Sequence, residues 1–246
     1  MLTKLRITFK NADINDINVN ASSLFHGFIM QVINCEYAEI LHENNIKPYS
    51  QHICIENNKP VWEINTLTEE AYIRINKVLY DNVNSVYLKQ RNSTLYVDGK
   101  AIETLTYEDL HLKNHNIDYM KGIRFAVCTP MSFKENGRYI NYFDTLRFFA
   151  SIIRRYGYFS GTTLDSKMLL NYINENIEIS EYILKSTFFH VEGVKIPAFV
   201  GELRLNLIDR KNRDFNEIIS TLIDFAEFSS VGIKTALGMG SVHRLN

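Results

Sequence analysis

The residues best suited to hold an anion lie near the end of the chain, in a loop rich in glycine. Three of the eleven glycines, Gly232, Gly238 and Gly240, fall within nine residues, with Lys234 and Thr235 between them. Glycine adopts positive φ angles at little cost, and such a loop can turn several backbone N–H groups toward one anion. The spacing matches neither the P-loop nor the full dinucleotide-binding fingerprint. From the glycines alone, a tightly turned connection before a terminal strand is the simpler interpretation.

Histidine is the side chain whose ordinary pKa best suits proton transfer near neutral pH. His42 lies at the end of a short predicted helix, where a histidine is most often solvated. His26 lies on an apolar helix face, and His52 begins a predicted strand that can face the same cleft. The three cysteines contain no CxxC pair, and no His/Cys cluster has the spacing of metal ligands. We therefore expect no metal and no cofactor, and the residues alone leave the catalytic histidine open.

Length and charge exclude several classes of protein. The 246 residues suffice for one large domain or two ordinary ones, and the net charge of −1 does not indicate a nucleic-acid binder. Residues 1–120 carry 11 Lys and Arg against 15 Asp and Glu, whereas residues 121–246 carry 16 against 13. Any basic face should therefore lie mainly on the second half. With no membrane-length apolar run, no signal-peptide block and an odd number of cysteines, we expect a cytoplasmic protein without a membrane partner.

Hydrophobic periodicity predicts the order strand, helix, strand, strand, helix, strand, and it predicts this order twice. The predicted elements of the first half are Leu2–Lys10, a helix from Ser22 or Ser23, Glu36–Asn44, His52–Glu56, Val61–Leu67, Glu69–Tyr80, Ser85–Lys89 and Ser93–Val97. Those of the second half are Ile123–Phe133, Asp144–Tyr156, Ser166–Asn176, Tyr182–Val191, Phe199–Ile208, Asp214–Phe228 and Ser241–Leu245. We predict an α+β fold of two tandem ferredoxin-like (RRM-like, βαββαβ) domains, residues 1–118 and 119–246, the second with a C-terminal glycine-rich loop.

Four stretches, in order along the whole chain, resemble one protein family. The most specific is Gly232–Val242 (GIKTALGMGSV), which resembles the glycine-rich signature of the RAMP superfamily of CRISPR-associated proteins. Within that superfamily the chain resembles the repeat-processing endoribonucleases. Leu24–Gln31 (LFHGFIMQ) resembles their first helix, and Tyr37–Gln51 resembles the segment that carries their catalytic histidine. Cys128–Lys134 (CTPMSFK) resembles the strand that opens their second half.

The resemblance implies tandem ferredoxin-like domains and metal-independent cleavage of CRISPR repeat RNA to mature guide RNA. In that family the ribose 2′-OH attacks the adjacent phosphate and leaves a 2′,3′-cyclic phosphate. By position, His42 matches the catalytic histidine and Lys47 matches a lysine that stabilises the phosphate. His26 is then the substitute candidate for His42. The tyrosine that some members add from the first helix is missing at the matching position, and we name Tyr37 as third catalytic candidate, although Tyr49 fits as well.

The resemblance also assigns contacts to RNA. A branched side chain at Gly238 or Gly240 should weaken RNA binding with the fold retained. Three arginines on one predicted helix form either a phosphate-contacting surface or a solvated face. The complete set of candidates for RNA contact is Gly232, Lys234, Thr235, Gly238, Gly240, Arg147, Arg154 and Arg155.

Two rival functions remain open at this point. One is a non-catalytic RAMP subunit that only binds guide RNA in a CRISPR effector complex; such a binder does not need the segment from Leu41 to Lys47. The other is an unrelated metabolic enzyme of the same two-domain fold, which would not bind nucleic acid. CRISPR repeat RNA is the predicted partner, and contacts with other CRISPR effector subunits or a homodimer are left undecided.

Overall fold

The computed structural model describes residues 1–115, 122–191 and 193–245. It shows an α+β protein with two main antiparallel sheets, which confirms the predicted fold class. The chain forms two compact units. The first comprises Met1–Leu105 and Lys234–Gly238, and the second comprises Thr106–Ile233 and Met239–Asn246. No helix in the described ranges has the length and apolar character needed to cross a bilayer.

The first unit is built on a five-stranded sheet. Its strands are β1 (Leu2–Phe9), β2 (Tyr49–Glu56), β3 (Lys59–Thr66), β4 (Ser85–Leu88) and β5 (Ser93–Leu105). Their spatial order is β2-β3-β1-β5-β4, with β1 antiparallel to both of its neighbours. Alternate residues of β1 are buried, so Leu5 and Ile7 enter the core of this unit as the period-2 pattern predicts.

Helices of the first unit cover one face of this sheet. They are α1 (Ser22–Val32), α2 (Cys35–Glu43), α3 (Glu69–Ala71), a π-helical turn (Tyr72–Asn76) and α4 (Lys77–Asn82). Phe25 and Phe28 of α1 pack on Trp62 of β3, and their ring centroids lie 4.9 and 6.3 Å, respectively, from that of Trp62. These contacts hold one face of α1 on the sheet and leave its neighbour His26 at the edge of the core, only partly buried. The helix predicted from Glu69 to Tyr80 exists, but a π turn interrupts it.

The second unit has a four-stranded sheet in the order β11-β6-β10-β9. Its strands are β6 (Ile123–Met131), β9 (Ile177–Val191), β10 (Val194–Leu207) and β11 (Val242–Leu245), and a separate hairpin joins β7 (Phe133–Glu135) to β8 (Arg138–Ile140). Asn136 and Gly137 both have positive φ, as the hairpin prediction requires. The helices are α5 (Tyr107–Asn114), α6 (Thr145–Phe159), α7 (Ser166–Asn176) and α8 (Arg213–Ser229).

The boundary between the two compact units depends on one short helix. The predicted division at residues 118 and 119 lies outside the described residues, whereas the compact units divide between Leu105 and Thr106. The physical reason is α5, which the periodicity did not predict. Asn114 at its end donates a hydrogen bond to Asp224 of α8 at 3.0 Å, and the Lys113 ammonium pairs with the same carboxylate at 3.1 Å. These contacts make α5 part of the second unit.

Candidate functional site

Two histidines, a lysine and a tyrosine come together in the first unit, where α1, the end of α2 and the start of β2 meet. The side chain of Asn34 begins α2 by accepting hydrogen bonds from two backbone N–H groups of its first turn, at 2.9 and 3.3 Å. The helix then runs to Glu43, which places His42 in its last turn with an exposed side chain. His26 lies on α1, and Tyr49 is the first residue of β2.

Lys47 lies between α2 and β2 and closes the end of the helix. Its ammonium group donates hydrogen bonds to the backbone carbonyls of Leu41, of His42 at 3.4 Å and of Asn44 at 2.6 Å. Carbonyls in the last turn of a helix lack partners within it and carry the negative end of its dipole, so a cation there is stabilising. Burial lowers the pKa of Lys47. Because Lys47 holds the backbone of His42 itself, it is suited to positioning this histidine, in addition to or in place of the predicted phosphate contact.

His26 and Tyr49 form the second pair of this site. The Tyr49 hydroxyl and Nδ1 of His26 lie 2.8 Å apart, and the two rings are parallel to within 9°. Burial and, to a smaller extent, the positive charges of His42 and Lys47 together lower the pKa of His26 to about 4. Those charges act on His26 only because the side chains are near one another. At neutral pH, therefore, His26 is a neutral imidazole near the ammonium group of Lys47.

Tyr37, the predicted third catalytic residue, is placed differently. Its side chain is only 5% exposed, and burial raises its pKa to about 12, an effect to which the Glu70 carboxylate adds. A phenol so buried keeps its proton and cannot reach a phosphate without displacing the residues that cover it. The structure thus argues against Tyr37 as the partner of His42. Tyr49, the alternative, is the tyrosine that contacts a histidine of the site.

The glycine-rich loop is held mainly by its own chain. Several of its N–H groups, which could in principle turn toward one anion, donate to protein oxygens instead. The bonds are Val231 N to Gly240 O (2.8 Å), Gly232 N to Ser151 Oγ (3.0 Å), Ile233 N to Ser132 O (3.1 Å), Gly240 N to Pro130 O (3.0 Å) and Ser241 N to Thr129 Oγ1 (2.9 Å). The glycines are therefore required by the fold of the loop, and its affinity for an anion must come chiefly from side chains.

Gln51 was missed by the sequence analysis and connects the loop to α1. Its amide nitrogen donates to the carbonyls of Ser22 and Ala236, both at 2.9 Å, and its oxygen accepts from the indole of Trp62 at 2.9 Å. Gly238 lies against the side chain of the same Ser22, where a Cβ would overlap it. In the sequence, the only sign of this role is a glutamine at a position where the strand faces the core. Because Ser22 lies one helical turn before His26 on α1, the contacts of Gln51 and Gly238 fix residues 234–238 at that distance from His26.

Replacement of Gly240 by alanine is expected to destabilise the protein and not merely to weaken RNA binding. Gly240 has φ of +74°, and a Cβ built on it would overlap the carbonyl carbon and oxygen of Val231, which are backbone atoms that cannot move cheaply. We expect a loss on the order of 3 kcal/mol or more of unfolding free energy, measured by urea denaturation. This corrects the prediction that such a variant keeps its fold.

Gly137→Ala provides the matched control. Gly137 has a similar φ of +79°, but nothing lies within 4 Å of its Cβ position. Its alanine variant should lose only the cost of a left-handed backbone, about 1–2 kcal/mol. If Gly240→Ala is as stable as Gly137→Ala and yet loses RNA affinity, the close approach to Val231 does not matter and the loop binds RNA directly.

Of the three arginines predicted to contact RNA, one is paired with carboxylates, one is buried and one is exposed. Arg147 donates to the carboxylates of Asp144 at 2.7 Å and Glu135 at 2.6 Å, so its charge is already neutralised. Arg155 is only 5% exposed, and burial lowers its pKa to about 10, with the charge of Arg154 as a further cause. The burial of Arg155 and the carboxylates around Arg147 argue against direct phosphate contacts by either residue. Arg154, by contrast, is exposed.

Lys234 is the exposed residue at the tip of the loop, while its neighbour Thr235 is buried. Its φ of +53° is uncommon for a residue with a side chain, and such conformations concentrate at functional sites. No carboxylate in the described part of the chain forms an ion pair with the ammonium of Lys234. Within the described ranges, moreover, no group of three or more His, Cys, Asp or Glu side chains is arranged to hold a metal ion.

Comparisons by family model, by sequence and by structure all match Cas6 proteins. Residues 125–242 match the family model of the CRISPR-associated endoribonuclease Cas6. The chain is 27% identical to the CRISPR-associated endoribonuclease Cas6 of Streptococcus thermophilus, over 98% of this chain and 97% of that protein. In fold it is similar to a Cas6 product complex, with a TM-score of 0.83, 18% identity and coverage of 100% of this chain and 99% of that one. A Cas6 substrate mimic complex gives a TM-score of 0.75 at 18% identity, covering 99% of each chain.

Proposed function

Because this chain belongs to the Cas6 family of CRISPR-associated endoribonucleases, we propose that it cuts CRISPR precursor transcripts within the repeat to give mature guide RNA. The observation that carries this proposal is the meeting of His26, His42, Lys47 and Tyr49 in one part of the first unit. Such a cluster contains groups that accept and donate protons and a cation that orients one of them. A protein that only binds RNA has no need of it.

The proposed reaction needs no metal. The 2′-OH of a repeat nucleotide attacks the adjacent phosphate, a 2′,3′-cyclic phosphate forms, and the next nucleotide leaves with a 5′-OH. The protein must remove the proton of the 2′-OH and protonate the leaving oxygen, and a positioned side chain typically contributes about 10²–10⁴-fold in rate to such a step. We assign one of these proton transfers to His42, whose exposed imidazole can reach a bound strand.

The proposal that RNA is the partner rests on the related structures, the sheet order and two exposed cations. The related structures are named as product and substrate mimic complexes of Cas6, and this supports RNA binding by the present fold. Both sheets have the order that a βαββαβ motif produces, so we take the two units to be tandem ferredoxin-like folds. Of the predicted RNA contacts we retain Lys234 and Arg154 as phosphate-binding side chains, because both are exposed cations.

Cleavage of the protein's own repeat RNA in excess EDTA tests the proposal. We expect full activity and an upstream fragment that ends in a 2′,3′-cyclic phosphate, because the nucleophile comes from the RNA itself. Mass spectrometry of the fragments identifies this end group. Loss of activity in EDTA with recovery in magnesium would contradict the mechanism. Tight RNA binding without any cleavage would indicate the non-catalytic RAMP subunit.

A further inference from the structure

We propose that Gln51 is a positioning residue for RNA cleavage, which sets the place of the Lys234 ammonium relative to the histidines of the site. This inference rests on the proposed function, in which Lys234 binds a phosphate of the RNA and His42 transfers a proton. Gln51 does not reach the reacting atoms, because its side chain is fully buried. Its role follows from the two segments that its amide joins, the start of α1 and residues 234–238 of the glycine-rich loop.

The amide of Gln51 has a single favourable orientation. Its oxygen accepts the indole N–H of Trp62 at 2.9 Å, and its nitrogen donates to the carbonyls of Ser22 and Ala236, both at 2.9 Å. An amide nitrogen has two hydrogens, so both are in use. The opposite orientation would place the amide oxygen against two carbonyl oxygens. Trp62 is itself fully buried and packs on α1, so the amide cannot turn without breaking all of these hydrogen bonds.

Strand β2 also holds the histidine side of this connection. Tyr49 and Gln51 are two residues apart, so their side chains lie on the same face of the sheet, and both are fully buried. The Tyr49 hydroxyl lies 2.8 Å from Nδ1 of His26, whereas Gln51 binds Ser22, one turn earlier on α1. The backbone N–H of Ile53 donates to Oγ of the same serine at 3.0 Å. One strand therefore fixes α1 at two places, and the loop is bound at one of them.

The loop segment is well suited to hold its lysine in a fixed place. It belongs to the first compact unit and contains a 3₁₀ turn (Thr235–Leu237), whose last N–H donates to the carbonyl of Lys234 at 2.9 Å. Lys234 and Gly238 flank this turn with φ angles of +53° and +114°. A Cβ on Gly238 would overlap the side chain of Ser22, so the turn lies directly against the start of α1. The backbone of the exposed Lys234 is thus fixed relative to the helix that carries His26.

This fixed spacing matters because one RNA strand must reach both places. A phosphate held by Lys234 anchors the strand, and the nucleotide to be cut must then meet the imidazole of His42. Loss of the Gln51 hydrogen bonds would loosen the loop from α1 without removing any charge. The strand would still bind, but its reacting phosphate would be misplaced, and a misplacement of about 1 Å can cost roughly 10²-fold in rate.

Gln51→Met removes the three hydrogen bonds of the amide and keeps an unbranched side chain of similar length. We expect single-turnover cleavage of repeat RNA in EDTA to slow about 10- to 100-fold at saturating protein, because the reacting groups are no longer aligned. The dissociation constant of the RNA should remain within about twofold of the wild-type value, because no phosphate contact is lost.

Asn76→Leu is the matched control for lost stability. Asn76 is another fully buried amide of the first unit, and its nitrogen donates to the Ile64 carbonyl of β3 at 3.2 Å. Both substitutions leave a buried carbonyl without its donor, so both should lower the unfolding temperature. At a temperature where both variants are folded, only Gln51→Met should slow cleavage.

Lys234→Gln shows whether Gln51 acts through the loop. It should weaken RNA binding and lower the slope of log Kd against log salt by about 0.7, as expected for one lost phosphate contact with a single strand. It should also slow cleavage at saturating protein, since the strand is no longer anchored. Gln51→Met should cause no further loss of rate in the Lys234→Gln protein, because the amide acts only through the position of the ammonium. A Gln51 that served stability alone would slow both backgrounds by the same factor.

The outcomes separate this inference from the proposed function. If the wild-type protein does not cut repeat RNA, the proposed function is wrong and the inference fails with it. If the wild type cuts and a folded Gln51→Met variant cuts equally fast, Gln51 has no positioning role. The same conclusion follows if Asn76→Leu slows cleavage as much as Gln51→Met does, or if the losses of rate from Gln51→Met and Lys234→Gln multiply. A slow Gln51→Met variant with unchanged affinity and no added loss in the Lys234→Gln protein supports the inference.

Discussion

Replacement of His42 by alanine is expected to slow single-turnover cleavage of repeat RNA about 10²- to 10⁴-fold, the contribution typical of one positioned acid or base. The imidazole is exposed at the end of α2, so its removal takes away a proton-transfer group without opening a cavity in the core. RNA affinity should change little, because phosphate charge dominates such binding and a single imidazole adds little to it. The measurement is the cleavage rate constant at saturating protein, with the dissociation constant determined in the same salt.

His243→Ala is the control of the same chemical type. The side chain of His243 is 62% exposed and lies 3.1 Å from the carboxylate of Glu227 in the second unit. Its alanine variant should cut at the wild-type rate. A His42→Ala variant that is as fast as the wild type, beside an inactive His52→Ala variant, would move the catalytic histidine to β2. The family assignment would stand in that case.

A single 2′-deoxy substitution just upstream of the scissile phosphate should abolish cleavage of the RNA. The substitution removes the proposed nucleophile, and no residue of the protein can replace it. Binding should remain, because one hydroxyl is a small part of a contact formed mainly with phosphates. Fragment analysis after prolonged single-turnover incubation measures the residual cutting, and competition with the all-ribose RNA measures the affinity.

The same substitution one nucleotide further upstream is the matched control, and this RNA should be cut at the normal rate. Cleavage of the first substrate at the same bond would mean that water is the nucleophile. The end group would then be a simple phosphate and not a cyclic one. That result would leave the fold and the RNA partner unaffected but would remove the proposed proton-transfer role of His42.

Local patterns in the sequence were enough for most of the elements. The alternation in β1, the turn at Asn136 and Gly137 and the apolar stripe of α8 depend on neighbours within a few residues, and the structure has all three. The periodicity did not predict the helix α5 because its apolar side is short, although Thr106 and Asp109 form a local capping box at its start, and its end contacts Asp224, more than a hundred residues away. The compact units divide between Leu105 and Thr106 for the same reason.

The sequence by itself determined the α+β class, the order of most strands and helices, and the segment that carries His42 and Lys47. These depend on periodicity and on residue types at close spacing, which are local properties of the chain. Only the tertiary structure decided that Lys47 holds the carbonyl of His42, that Arg155 is buried, and that Tyr49 contacts His26 where Tyr37 does not. Hydrogen-bond partners and burial arise when α1, α2 and β2 pack together, and this packing brings His26 and Tyr49, 23 residues apart in the chain, within 2.8 Å.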